Sequence, residues 1–135
     1  MKNPLLAILI LFSTYAFGQN STSESPKIGI KVPLGNTLEY KGVSIKFIEV
    51  VEDSRCPKDV TCIWAGRAIV KAEVSAGGNK EEKTLIFGEV RPGEDKNTTL
   101  YTSKEFSIDG LTLNPYPTAQ GSEDTNYVLV VSEKK

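Results

Sequence analysis

The chain has 135 residues, 16 basic against 17 acidic side chains, two cysteines, one tryptophan and no histidine. The missing histidine excludes a Ser-His-Asp triad, a Cys-His pair, His-ligated zinc and an imidazole proton shuttle. The near balance of charge gives no electrostatic reason to bind nucleic acid or an acidic membrane surface.

Residues 1–18 read as an export signal. Lys2 precedes an apolar run from Leu5 to Phe12, and Ala16-Phe17-Gly18 offers small residues where a signal peptidase reads, which places cleavage before Gln19. The run falls short of the ~20 apolar residues of a membrane helix and no second run follows, so no membrane span is expected. No cysteine adjoins the cleavage site to carry a lipid, and the mature chain is expected to be secreted or periplasmic. That chain has 117 residues, 15 of them basic and 17 acidic, which suits one domain and a monomer. Gln19 to Pro26 (QNSTSESP) reads as a flexible leader, 27–132 as a single β domain, and Glu133-Lys134-Lys135 as a frayed end.

Within the domain the apolar period is two, not 3.6. Strands are expected at Ile28–Val32 and Thr37–Tyr40, then from Val43, where Val43, Ile45 and Phe47 alternate with Ser44 and Lys46. The apolar phase then jumps to Ile48 and Val50, as a bulge near Phe47 would make it do. Ala68–Val74 is the clearest strand, with Ala68, Val70, Ala72 and Val74 on one face. Further candidates are Thr84–Phe87, Thr98–Thr102, Phe106–Ile108, Leu111–Leu113 and Tyr127–Val131, the last apolar on both faces. Turn chemistry separates them at Lys41-Gly42, Gly77-Gly78-Asn79, Pro92-Gly93, Asp109-Gly110 and Asn114-Pro115-Tyr116-Pro117. Short strands at this spacing imply an all-β, antiparallel sandwich or small barrel of about seven to nine strands.

The segment from Glu52 to Gly66 holds both cysteines and the only tryptophan. In an exported protein Cys56 and Cys62 are expected to form a disulfide, and Pro57 with Asp59 suits the tight loop this needs. A catalytic dithiol normally has two intervening residues, and a thiolate metal site would need two further soft ligands. Two roles fit the loop. Trp64 can pack over the bridge and plug one end of the core, with Gly66 letting the chain re-enter a strand. Alternatively, a rigid Pro57-Lys58-Asp59 tip flanked by Arg55 and Trp64 can be a recognition surface.

The stretch EDSRCPKDVTCIWAGRAIV resembles one found in small exported bacterial proteins of no known function, with DSRCP, a second cysteine and then WAG. It covers about a sixth of the mature chain. The resemblance implies a shared secreted β domain and transfers no catalytic residue.

Three functions follow as expectations. The first is a non-enzymatic binding module presenting the Cys56–Cys62 loop to a protein or glycan, with Arg55, Pro57, Lys58, Asp59, Trp64 and Tyr116 as contacts. The second is an inhibitor of an exported enzyme such as a protease, anchored by Lys58 or Arg55. The third is a small hydrolase using paired carboxylates among Glu49, Glu52, Asp53 and Asp59. Glu52, Asp53 and Asp59 are also weak calcium candidates, although their spacing matches no EF-hand. No cofactor is expected.

Overall fold

The computed structural model describes residues 27–121 and 126–135, so the export signal and the leader lie outside the described residues. Eight strands form: β1 (Gly29–Pro33), β2 (Thr37–Tyr40), β3 (Val43–Asp53), β4 (Arg67–Ala76), β5 (Asn79–Gly88), β6 (Thr99–Thr102), β7 (Ser107–Asn114) and β8 (Val128–Lys134). They make two antiparallel four-stranded sheets, ordered β1-β8-β7-β6 and β2-β3-β4-β5, in a sandwich. No helix among the described residues is long and apolar enough to cross a membrane.

Local chemistry sets the hairpins of the second sheet. Lys41-Gly42 and Gly77-Gly78 each place two successive residues at positive φ, the twist a two-residue hairpin requires, and the strands pair directly outward from Tyr40↔Val43 and Ala76↔Asn79. The bulge in β3 occurs where the apolar phase shifts, between Phe47 and Glu49, and a second follows between Val50 and Glu52. Alternation then sorts the faces. Val43, Ile45, Phe47, Val70, Ala72 and Leu85 are buried against Leu100, Leu113, Leu129 and Val131 of the other sheet. On the outer face Lys71 lies between Glu49 and Glu82 at 3.4 and 3.5 Å, and such exposed pairs each contribute only about 0–1 kcal/mol.

Two boundaries differ from expectation. Asp109-Gly110 does not turn the chain: Ser107–Ile108 and Leu111–Leu113 belong to one strand, β7, which starts after Phe106 and is bulged between Gly110 and Thr112. Gly110 has a packing role, because a Cβ there would sit 2.9 Å from Leu85 and 3.0 Å from Phe87 of the facing sheet. The charged ending is not frayed as far as Lys134 either. Glu133 pairs with Ile108 across β7, accepts a hydrogen bond from the Tyr40 hydroxyl and forms a 2.6 Å ion pair with Lys41. Phe106 packs edge-on to Tyr40, with ring centroids 6.3 Å apart, and closes the same end of the sandwich.

Candidate functional site: the disulfide loop

The connection from β3 to β4, residues 54–66, crosses the opposite end of the sandwich, and Cys56 and Cys62 are bridged within it. Its base continues the sheet without strand geometry. The Ser54 amide donates to the Arg67 carbonyl at 2.8 Å and the Cys56 amide to the Ala65 carbonyl at 2.9 Å. Gly66 makes this closure possible. It has φ +69°, and a Cβ there would lie 1.9 Å from the Ser54 carbonyl oxygen.

Arg55 is not at an exposed tip, as an inhibitor anchor would be; it is only 6% exposed and turned into the fold. Its Nε donates to Asp53 Oδ1 at 2.8 Å and its Nη2 to Asp53 Oδ2 at 2.9 Å, a bidentate pair. The remaining donors leave the sheet: Nη1 reaches the Leu113 carbonyl at 2.5 Å and Nη2 the Pro115 carbonyl at 2.9 Å. The guanidinium also lies 4.3 Å from the Tyr116 ring centroid, and the Tyr127 hydroxyl donates to Asp53 at 2.9 Å. Burial alone raises the Asp53 pKa, but Arg55 and Tyr127 more than offset it and hold the carboxyl below its usual range.

Arg55 therefore fastens the disulfide loop to the β7–β8 connection, joining two segments sixty residues apart in sequence. Two further bonds complete the seam: the Lys58 amide donates to the Pro117 carbonyl at 3.2 Å, and Asp59 Oδ1 accepts from the Ala119 amide at 2.9 Å. On its other flank Arg67, 5% exposed, holds Glu52 at 3.1 Å and Glu94 from the β5–β6 connection. The Arg67 and Ser54 hydrogen bonds hold Glu52 below its ordinary pKa. Glu94 also accepts from the Arg91 amide at 2.9 Å, so part of the β5–β6 connection is structural. The Asn97 carbonyl accepts from the Ile86 amide and shields the edge of β5.

What this frame displays is apolar. Ile63 is 94% exposed, Trp64 73%, Val60 45% and Tyr116 48%. Trp64 is therefore no core plug: the ends of the sandwich are closed by Arg55 with its partners and by Phe106 with Tyr40, and the tryptophan stands outside. Lys58 and Asp59 are exposed on the same loop, while Pro57 is half-buried.

The proposed carboxylate chemistries find no common cleft. Glu49 faces outward against Lys71, Glu52 is held by Arg67, Asp53 by Arg55 and Asp59 by the Ala119 amide. A general acid needs a raised pKa, whereas Glu52 and Asp53 are both shifted down. Glu52, Asp53 and Asp59 are likewise dispersed as calcium ligands, and among the described residues no group of three or more His, Cys, Asp or Glu is placed to hold a metal ion. Ile63 escaped the sequence reading because an isoleucine before a tryptophan has the pattern of a strand entering the core. No protein-family model, curated protein or solved structure matches the chain.

Proposed function

We propose that the protein is an exported, non-enzymatic binding module whose contact is the Ile63-Trp64 tip of the disulfide loop, inserted into an apolar recess of a protein partner. The observation that carries this reading is the exposure of two adjacent large apolar side chains, 94% and 73%, on a loop clamped by a disulfide, Arg55 and Gly66. Exposed apolar clusters rimmed by polar groups mark interaction sites, and a loop already ordered loses little entropy on binding. Aliphatic Ile63 next to Trp64 in the chain, with exposed Val60 on the same loop, favours a protein recess over a sugar, whose hydroxyls ask for a flat aromatic face and polar neighbours. A single exposed base, Lys58, next to Asp59 leaves the tip without the charge that would hold it on anionic lipid. The bridge accords with an oxidising compartment, and the resemblance to small exported bacterial proteins supports the same setting.

The test is capture from the native culture with the mature chain from Gln19 as bait, beside an Ile63→Ser/Trp64→Ala variant of unchanged melting temperature. Loss of a specific partner with the variant supports the reading. Equal capture by both baits, or capture by neither, overturns it.

A further inference from the structure

The disulfide loop is not held evenly along its length. Residues 57–60 have attachments of their own: the Lys58 amide donates to the Pro117 carbonyl, Asp59 accepts from the Ala119 amide, and the Val60 amide donates to the Pro57 carbonyl at 3.2 Å. Residues 61–64 do not. Thr61, Cys62, Ile63 and Trp64 are all exposed, and among the described residues none of the four has a hydrogen bond, an ion pair or a ring contact. What fixes them is the bridge from Cys62 to Cys56, whose amide also donates to the Ala65 carbonyl at 2.9 Å. Both ends of the Ile63-Trp64 tip therefore hang from Cys56, the first by a covalent bond and the second by a hydrogen bond. Cys56 in turn is placed by its buried neighbour Arg55.

We infer that the Cys56–Cys62 bridge is a redox latch on the tip: a dithiol reductant opens it, the 61–64 segment loses its order, and the sandwich stays folded. This names the regulation of the site proposed above and rests on that reading. With the bond cut, nothing else ties the chain between Val60 and Ala65, and residues without burial or hydrogen bonds regain the backbone freedom that the bridge had removed. The fold does not follow, because Arg55 still holds Asp53 and the Leu113 and Pro115 carbonyls, and the Ser54 amide still donates to Arg67. The bridge is also placed for exchange. Cys62 is exposed and Cys56 half-buried, so the outer sulfur is the one an external thiolate reaches. That thiolate attacks Cys62 Sγ, the S–S bond breaks, and Cys56 leaves as a thiolate and takes up a proton. The second thiol of the reductant, as thiolate, then displaces Cys62 from the mixed disulfide, and Cys62 is protonated in turn. The reductant ends as a disulfide, and two electrons and two protons have passed to the bridge. The freed Cys56 sulfur has the Val60 carbonyl oxygen at 3.4 Å and that of Pro57 at 3.5 Å, acceptors for its S–H, so the reduced cysteine is accommodated where it stands. Reoxidation reverses the change, since residues 57–60 have kept their place and only the tip has to be reordered.

The test is ¹⁵N relaxation on the mature chain, oxidised and after reduction with dithiothreitol, beside a Cys56→Ser/Cys62→Ser variant as the permanently open form. The expected amide order parameters of Ile63 and Trp64 are about 0.85 in the oxidised chain and below about 0.6 in both open forms, with the Val70 and Leu129 resonances in place. Unchanged order in the open forms overturns the latch, because something other than the bridge then fixes the tip. So does a tip already mobile when oxidised. Loss of the Val70 and Leu129 resonances in both open forms overturns it as well, by making the bridge a staple of the whole fold. None of these readouts needs a partner, so capture by neither bait sinks the binding module while relaxation still decides the latch. With a captured partner in hand, a tip competent less than about a tenth of the time should weaken binding by the open variant at least about tenfold. Equal affinity despite a disordered tip overturns the regulation and leaves the binding module standing.

Discussion

Replacing Arg55 by alanine removes the buried side chain that ties the disulfide loop to the end of β7 and the β7–β8 connection. Its partner Asp53 has a side chain only 9% exposed, and an ion of a buried pair left alone costs about 3–5 kcal/mol. The Leu113 and Pro115 carbonyls also lose their donors, at roughly 1–3 kcal/mol each wherever water does not replace the guanidinium. Water entering the vacated space offsets part of this, so the expected loss is about 4–6 kcal/mol, much of the 5–15 kcal/mol of an ordinary domain. Arg55→Lys keeps a charge near Asp53 but cannot make the fork and both carbonyl bonds, and should cost about 2–3 kcal/mol. Urea unfolding at pH 7 reads these values, and a cycle with Asp53→Asn should give a coupling energy of about 2 kcal/mol or more. Trp64→Ala in the same assay should change stability by less than about 0.5 kcal/mol, as exposed positions do. An Arg55→Ala loss below about 1 kcal/mol with unchanged denaturant slope would refute the reasoning, because the clamp would then carry no load.

Four further outcomes follow from individual positions. Gly66 and Gly77 both have positive φ, but only Gly66 has backbone in the way of a Cβ. Gly77→Ala should therefore cost about 1–2 kcal/mol from conformation alone, and Gly66→Ala at least about 2 kcal/mol more in urea melts. Opening the bridge by Cys56→Ser/Cys62→Ser should cost about 2.4 kcal/mol in the chain-entropy model, read as the difference in unfolding free energy from the oxidised protein. Because the carboxyl of Asp53 is shifted down on folding, its contribution is complete above the unfolded pKa and is lost as pH falls through the folded one. Stability against pH should be level between about 6 and 8, where a histidine would have titrated, then fall through the carboxylate range, less steeply in Asp53→Asn. Asp109→Ala removes a buried oxygen that has no hydrogen-bond partner among the described residues, so melting should show stability unchanged or raised by up to about 2 kcal/mol, and a clear loss would reveal an interaction of Asp109 within the monomer.

The β architecture was legible because period-two alternation and glycine turns are local signals. Thr37–Tyr40 has the expected bounds, and the phase jump after Phe47 marks a real bulge. The first half of β5 was not legible: Asn79 to Lys83 has no apolar alternation and is a strand because the Gly77-Gly78 hairpin lays it against β4. Gly110 misled for a related reason. A glycine after aspartate has turn chemistry, but the demand it answers comes from Leu85 and Phe87, far away in sequence. Cys56, Cys62, Lys58 and Asp59 were readable as one loop, since their relation is also local. The direction in which Arg55 and Trp64 point was not, because it is set by the carbonyls of Leu113 and Pro115, which no spacing rule connects to them.

That direction inverts the usual order of side chains and explains how the tip stays outside. The ordinary fate of a lone tryptophan beside a disulfide is to cover the core, and the open end of a sandwich is where it would go. Here the place is already taken by a guanidinium whose charge is neutralised by Asp53, whose donors are met by two carbonyls and whose flat face is covered by Tyr116. A filled and hydrogen-bonded site gives Trp64 nothing to displace at a profit, since entering it would strand Asp53. The six-residue separation of the cysteines and the left-handed Gly66 then leave the loop too short to reach another part of the core. Exposure of Ile63 and Trp64 is thus a consequence of the Arg55 clamp. A variant with an apolar residue at position 55 and alanine at position 53, which retains no buried charge, should let the ring fold inward, with a blue shift of the tryptophan emission and loss of binding. If the emission stays that of a solvated indole, the bridge and Gly66 alone hold the tip out.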